Sequence, residues 1–184
     1  MWDFYGTRPA NLPFRRIAGI SHFLSSNIEK GLLNIFLSEF LNGGKTLDFI
    51  HKIDIMFAGY DDFWSFKHTF KGKKFSSKMR LIGRDRVLTI IVDVLIPLMF
   101  LYSKENKDLR LEDAAHNIYI KISRLPSNSI TRFMVRKMLR GERHIVNSAR
   151  RGQALIQIFN DYCANNEDGC PGCTLKMEIT NWLH

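Results

Sequence analysis

The sequence has few of the residues that mark disulfide-bonded, collagen-like or low-complexity chains. It holds three cysteines, five prolines and twelve glycines among 184 residues. An odd, clustered set of cysteines is not the framework of a secreted disulfide-bonded domain, and the ordinary glycine and proline content excludes the other two classes. Hydrophobic residues make up 45% of the chain and aromatic residues 12%, which excludes intrinsic disorder. The length then suits one globular domain with a real core.

The sequence also lacks a clear targeting or membrane segment. Its first residues do not show the basic and apolar regions of a secretory signal peptide, so we expect a reducing, cytoplasmic setting. The apolar run at residues 87–102 is short for a membrane span and carries Asp93 at its centre. We therefore expect a core helix, kinked at Pro97, with Asp93 buried as an ion-pair partner or as an acid–base group.

Apolar residues recur at helical spacing through most of the chain, and no run alternates with a period of two. The pattern predicts an all-α fold, a single compact helical domain of about seven helices over residues 1–162. A cysteine-rich tail over residues 163–184, a candidate metal-binding loop, is expected to pack on it. Asn11 is the predicted N-cap of the first helix, with Pro13 in its first turn, and Ser127 or Ser129 is the predicted cap of a later one.

The positive charge is concentrated in two segments. The chain has 27 Lys and Arg against 18 Asp and Glu, a net charge of +9. The first basic segment, residues 67–86, carries +7, and the second basic segment, residues 132–151, carries +6. The rest of the chain is therefore mildly acidic, and any attraction for an anionic partner resides in these two segments.

The two basic segments predict a helical binding module for nucleic acid or another polyanion. Aromatic residues among the lysines of the first segment could stack on single-stranded bases, and the arginines of the second share one helix face. The N-terminal arginines could hold a phosphate or carboxylate, or tie that arm to Asp85 or Asp93. The candidate anion-binding residues are Arg8, Arg15, Arg16, Lys71, Lys73, Lys74, Lys78, Arg84, Arg86, Arg132, Arg136, Lys137 and Arg140.

A structural or protein-interaction role is the alternative. In that case the basic residues form solvated helix faces, and the chain is one domain of a larger protein with no activity of its own. An exposed apolar patch, above all near residues 57–66, would favour this alternative.

The three cysteines form a candidate metal site. Cys163, Cys170 and Cys173 are spaced so that the last two can reach one ion, which predicts structural zinc with His184 or His144 as fourth ligand. An iron–sulfur cluster is less favoured, because Ile179 occupies the position of the fourth cysteine in the similar loop of helix-hairpin-helix DNA glycosylases. Free or partly oxidised thiols and a redox Cys-x-x-Cys pair are the other interpretations.

No catalytic motif accompanies these features. The sequence has no phosphate-binding glycine loop, nucleophile elbow or zincin motif. Asp61 and Asp62 are adjacent, so on a helix they diverge. The histidines show no metal-binding or catalytic spacing. We therefore expect no catalytic residue, and a binding module is favoured over an enzyme.

Three stretches carry a resemblance to a known family. They are Gly6–Ile17 with its Arg-Pro-x-Asn-x-Pro element, residues 83–86 leading into the apolar run, and residues 149–155 leading into the cysteines. In this order they are similar to the C-terminal part of the bacterial domain of unknown function 2851 family. Full-length members carry a further N-terminal region, so the resemblance implies a part of a longer protein. The family has no established activity, so the resemblance implies no catalytic residue.

Overall fold

The helical spacing of the apolar residues is realised as α-helices throughout the part of the chain that is described. A computed structural model describes residues 12–42, 46–58, 61–166, 170–171 and 173–175. Within these ranges the fold is all-α, as predicted, with eight helices and no strand. The predictions for Arg8, Ile179 and His184 lie outside the described residues. The helices are α1 (Pro13–Asn27), α2 (Leu32–Asn42), α3 (Thr46–Met56), α4 (Phe63–Phe66), α5 (Arg84–Asn106), α6 (Leu109–Lys121), α7 (Ser129–Met138) and α8 (Ala149–Ile158), the last continued by a π-turn (Phe159–Cys163).

Local chemistry determines where two of these helices begin. Pro13 opens α1, because its fixed φ and missing N–H suit the first turn. Leu12, rather than the predicted Asn11, occupies the N-cap position, since the helix begins directly at Pro13. At α7 the Asn128 side chain accepts a hydrogen bond from the Thr131 backbone N–H at 2.8 Å, and Thr131 Oγ1 accepts one from Asn128 N at 2.9 Å. Asn128 rather than Ser127 or Ser129 is therefore the cap, since its side chain completes this reciprocal pair.

Helix α5 accommodates Pro97 through a π-turn. Proline has no N–H, and its ring clashes with the carbonyl four residues earlier, which belongs to Asp93. The residues Ile91–Leu95 form the π-turn, in which the Ile96 N–H donates to the Ile91 carbonyl. Asp93 lies exposed on the outer side of this turn. The prediction that Asp93 is buried is wrong, because its neighbours Ile91 and Leu95 take the buried positions instead.

Among the described helices, α5 is long and apolar enough to cross a membrane. It has 23 residues and a mean hydropathy of 1.9 over its most apolar window, of which 39% is buried. Its outer face exposes Val94, Leu98 and Leu101. The core helix of a globular domain passes the same test, so this helix is a weak indication of a span.

The chain divides into two compact units, Met1–Ile118 (unit 1) and Tyr119–His184 (unit 2). The division falls inside α6, whereas the sequence pattern predicts a boundary after residue 162. Most of the predicted tail lies outside the described residues, so its packing on the helical domain stays a prediction.

Phenylalanines form the interior of unit 1. Phe23 of α1 stacks on Phe57 with 4.3 Å between the ring centroids, and Phe40 of α2 meets the edge of Phe49 of α3 at 4.6 Å. All four rings are buried, and such ring pairs stabilise beyond the area that they bury. This aromatic core joins the first three helices.

Unit 2 is built on the packing of α7 against α8. Met134, Val135, Val146 and Leu155 form its buried cluster, and Cys163 packs against them. Helix α8 begins after Ser148, whose Oγ accepts a hydrogen bond from the Arg151 N–H at 3.3 Å. The second basic segment therefore lies on the helices that form this core.

We expect Gly19→Ala to destabilise the protein. Gly19 packs against the residues that directly precede α5. An added Cβ would lie 2.8 Å from Ile82 Cγ1 and 3.0 Å from Leu81 Cβ. Overpacking costs about 1–3 kcal/mol, whereas the helix propensity of alanine recovers only about 1 kcal/mol. Urea unfolding followed by circular dichroism should show a lower midpoint.

Gly152→Ala in α8 is the matched control. The nearest atom to its added Cβ would be Val146 Cγ1 at 3.9 Å, an ordinary contact. This substitution should therefore stabilise the chain by about 0.5–1 kcal/mol. Equal stabilisation by both alanines would contradict close packing at Gly19.

Candidate nucleic-acid interface

A buried carboxylate anchors the first basic segment to α3. Asp54 accepts two hydrogen bonds from Arg80, with Nη1–Oδ2 at 2.9 Å and Nη2–Oδ1 at 2.6 Å, and a third from Arg84 Nε at 3.2 Å. The hydrogen bond from Arg80 is the main cause that lowers the pKa of Asp54, against the opposing effect of burial. The carboxylate is therefore ionised at neutral pH. Arg80 is thus held in an ion pair at the base of the segment, whereas the candidate Arg84 contacts Asp54 through Nε and leaves 75% of its side chain exposed.

Arg15 is a structural residue of unit 1 and is not exposed for binding. Its side chain is 0% exposed, with Nη1 2.7 Å from His68 Nδ1 and Nη2 donating to the Arg80 carbonyl at 3.2 Å. Burial lowers the pKa of Arg15, but a guanidinium stays protonated in proteins. The expectation that Arg15 holds an external anion, or else pairs with Asp85 or Asp93, is wrong, since its donors are directed inward at uncharged acceptors.

The contact with Arg15 fixes the protonation state of His68. A guanidinium only donates hydrogen bonds, so His68 Nδ1 must accept, and the imidazole carries its proton on Nε2. Burial, and then the charge of Arg15, lower the pKa of His68. Phe75 packs on the same ring at 4.3 Å between centroids. A neutral imidazole therefore holds the first basic segment against α1.

The remaining cations of the first segment face outward to different extents. Lys71, Lys73 and Lys74 are exposed, as is Arg86. Lys78 forms an ion pair with Asp61 at 3.3 Å. Three lysines of one loop and Arg86 are therefore exposed to solvent.

The other N-terminal candidate within the described residues is Arg16, which lies half-buried on α1. Burial, and then repulsion by Arg86, lower its pKa. Arg16 and Arg86 thus lie near enough to repel each other.

An exposed aromatic cluster accompanies these lysines. Phe63 and Phe70 are 44% and 72% exposed, and Trp64 meets Phe70 at 4.7 Å between ring centroids. Lys67 Nζ lies 5.1 Å from the centroid of the Phe63 ring, within the range of a cation–π contact. We define the aromatic–lysine surface as Phe63, Trp64, Phe70, Lys67, Lys71, Lys73 and Lys74.

The second basic segment presents its cations on one side of α7. Arg132, Arg136 and Lys137 are exposed, opposite the buried Met134 and Val135. We call these three residues the arginine face. The helix ends at Met138, so the candidate Arg140 follows it in the turn.

Arg140 adopts the left-handed conformation, with φ at 49°. This backbone region costs a residue with a Cβ about 1 kcal/mol relative to glycine. A charged residue therefore occupies a position that local geometry favours for glycine.

The cations of unit 2 have no acidic partners among its described residues. Residues 119–166 contain nine Lys and Arg and two acids. Glu142 bonds to His144 at 3.1 Å, and Asp161 accepts from Gln157 at 2.7 and 2.9 Å. In the described part of unit 2, no Lys or Arg forms an ion pair with a carboxylate. The described part of unit 2 therefore carries seven more Lys and Arg than acids, and none of these cations is ion-paired there.

The cysteines do not form a complete metal site among the described residues. Cys163 is half-buried, and Cys170 and Cys173 carry free thiols like it. Burial, and then the two neighbouring thiols, raise the pKa of Cys163, which disfavours the reactive thiolate. Across the described residues, no three His, Cys, Asp or Glu side chains are grouped as metal ligands. His144 bonds to Glu142, so the zinc site and its fourth ligand stay predictions.

Sequence reasoning missed two residues of this site, Asp54 and His68. The burial of Asp54 could have been predicted, because it lies four residues after Ile50 and three before Phe57, on the apolar side of α3. The role of His68 could not be predicted from its neighbours in the sequence, since its partner Arg15 lies 53 residues away.

Comparison with known proteins identifies a family for the first two thirds of the chain. A family model described as "Protein of unknown function (DUF2851)" matches residues 1–127. No curated protein and no solved structure matches the chain. The matched range includes the aromatic–lysine surface, whereas the arginine face and the cysteines lie beyond it.

Acid should weaken the contact between Arg15 and His68. The pKa of His68 is lower in the folded chain than its ordinary value of 6.5. Its contribution to stability is therefore complete above that value and is lost as the pH falls through the folded pKa. His68→Asn keeps an acceptor for Arg15 but does not titrate. Between about pH 7.5 and about pH 5, the unfolding midpoint should fall less in His68→Asn than in the unsubstituted chain.

The control is His116→Asn, because His116 lies exposed on α6. This variant should keep the full pH dependence. Equal flattening by both substitutions would show that Arg15 does not depend on a neutral His68.

Structural zinc predicts about one zinc per purified chain by elemental analysis. Cys170→Ser should then lower the zinc content, since it removes one thiolate. Iron in place of zinc would support the cluster alternative. A metal-free chain with three thiols open to a thiol reagent would contradict both.

Proposed function

The chain belongs to the DUF2851 family of proteins of unknown function, and we propose that it is a nucleic-acid-binding module. The cations in the described part of unit 2, none of which is paired with a carboxylate there, carry this proposal. The family match brings no activity with it, so the proposal rests on the contacts and charges of the described residues. That the chain is the C-terminal part of a longer protein also stays a proposal.

The placement of charge in unit 2 is unfavourable for the isolated fold. Arg150 and Arg151 occupy the first turn of α8, which has no acidic residue. The positive end of a helix dipole repels such cations at about 0.3–1 kcal/mol each. A polyanion bound at this surface would convert the repulsion into attraction.

Arginine is also the side chain that best suits phosphate. Its planar group donates two parallel hydrogen bonds to phosphate oxygens, which an ammonium group does not. The arginine face places Arg132 and Arg136 one helical turn apart, both exposed. Phosphates repeat along a nucleic-acid strand, so neighbouring arginines can contact neighbouring phosphates.

Unit 1 supports the same function through a second surface. Lys71, Lys73 and Lys74 are exposed on one loop beside the aromatic rings of Phe63 and Phe70. Cations interleaved with exposed aromatic rings are typical of proteins that bind single strands.

Replacing Arg132, Arg136 and Lys137 together by glutamine should weaken binding of a fluorescent oligonucleotide. Each lost phosphate contact reduces the slope of log affinity against log salt by about 0.7–0.9. The slope between about 50 and about 200 mM salt should therefore fall by about 2–3 for the triple variant. Anisotropy titrations at several salt concentrations measure it.

Two controls sharpen this test. The triple variant with Lys30, Lys104 and Lys107 changed to glutamine removes the same charge from other exposed positions, and its slope should stay close to that of the unsubstituted chain. Arg150→Glu should raise stability, because it improves the first turn of α8, and yet weaken binding. Absence of binding at about 50 mM salt would overturn the proposal.

A structural or protein-interaction role is the second candidate function. The exposed side chains of Val94, Leu98 and Leu101 on α5 favour it, because apolar patches on a surface often mark a docking site. The exposed Phe63 also lies in the region that the sequence analysis connected with this alternative. Such an association would be insensitive to salt, which distinguishes it from phosphate binding.

A further inference from the structure

We propose that the aromatic–lysine surface of unit 1 selects single-stranded nucleic acid by stacking a base on Phe70. This inference rests on the proposed function and adds the class of nucleic acid to it. It depends on residues of unit 1 only, whereas the proposed function is carried by unit 2.

Phe70 is held in place although most of its ring is open. The side chain is 72% exposed, and three rings surround its remaining surface: Trp64 at 4.7 Å, Phe63 at 5.9 Å and Phe14 at 6.4 Å between centroids. Trp64 and Phe14 are half-buried and lie 4.6 Å apart. Because these neighbours already restrict the Phe70 ring, little side-chain conformational entropy is lost when a base stacks on it.

The backbone folds the segment so that Phe70 lies in a fixed loop. The Phe75 N–H donates to the Phe66 carbonyl at 2.8 Å, and the Met79 N–H donates to the Ser65 carbonyl at 2.8 Å. Between these bonds, the Gly72 N–H closes a turn onto the Thr69 carbonyl at 3.1 Å. The loop is thus tied at its base to α4, and the buried pair of Arg15 and His68 secures it to α1.

The charge around Phe70 matches a phosphate-bearing partner. Residues 63–77 contain four lysines and no Asp or Glu. Lys74 Nζ lies 4.8 Å from the Phe66 ring centroid, and Lys71 directly follows Phe70. An apolar protein segment would leave these ammonium groups without partners, whereas a nucleotide offers an aromatic base and an anionic phosphate together.

Single strands fit this surface better than duplexes. In a duplex each base is stacked and paired, so its face is closed to a protein ring, but in a single strand the face is accessible. The surface has one widely exposed ring, Phe70, with the less exposed Phe63 at its side. It should therefore discriminate strands by base accessibility rather than by sequence, since every base has a π-face.

The test measures anisotropy of the full chain with three labelled probes of one length: oligothymidylate, its duplex with oligoadenylate, and an abasic strand. We expect oligothymidylate to bind at least several-fold more tightly than the abasic strand. Phe70→Ala should weaken oligothymidylate binding about tenfold and leave the abasic strand unchanged. Phe70→Trp should retain the preference, because indole also stacks.

Two further variants separate stacking from charge and from general apolar contact. The triple variant Lys71→Gln, Lys73→Gln and Lys74→Gln should weaken all three probes. Leu109→Ala removes another side chain that is 72% exposed and should change none of them. Circular dichroism of Phe70→Ala should be unchanged, since most of the ring contacts solvent.

The outcomes distinguish this inference from the proposed function. Binding of all probes with equal affinity, or an unchanged oligothymidylate affinity in Phe70→Ala, overturns the stacking site and leaves the proposed function standing. If no probe binds at about 50 mM salt, the proposed function falls and the stacking site falls with it.

Discussion

The buried guanidinium of Arg15 is the interaction on which the organisation of unit 1 depends. Removing a charge from water is costly unless it is hydrogen-bonded. Here two nitrogens of Arg15 contact His68 and the Arg80 carbonyl, whereas its buried Nε has no hydrogen-bond partner among the described residues. Arg80 in turn donates two hydrogen bonds to the Asp54 carboxylate. This chain of contacts connects α1 to α3 through the first basic segment. Arg15 and Arg80 are held internally by these contacts, so the exposed charge of this segment lies on the lysines of the loop and on Arg84 and Arg86.

In unit 2, by contrast, arginines donate to backbone carbonyls and not to carboxylates. Arg132 Nη1 donates to the Ser127 carbonyl at 3.0 Å, and Arg151 Nη1 donates to the Ile145 carbonyl at 2.8 Å. A carbonyl acceptor orients a guanidinium but does not neutralise it, whereas a carboxylate does both. The same residue type therefore stabilises the fold in unit 1 and supplies exposed charge in unit 2. Net charge alone did not distinguish these two uses.

The sequence predicted what depends on local spacing. Helical periodicity and Pro13 indicated an all-α fold and the start of α1, because both act within a few residues. The adjacent Arg15 and Arg16 show the limit of such prediction. Arg15 is buried and Arg16 is half-buried, and the burial of Arg15 depends on partners more than fifty residues away in the sequence. Asp93 shows another limit, because its place at the centre of an apolar run predicted burial, whereas it lies exposed on the π-turn. The exposed state of Phe70 likewise depends on the rings packed around it.

The arginines of unit 2 are placed against the preferences of the fold that carries them. A glutamate would suit the first turn of α8 better than Arg150, and a glycine would suit the left-handed turn better than Arg140. Neither arginine contributes to the buried cluster of Met134 and its neighbours, so packing does not account for them. Unfavourable local choices are expected at functional positions, where a ligand recovers what the free fold loses. Both choices add positive charge, which is why they support the proposed binding of an anion.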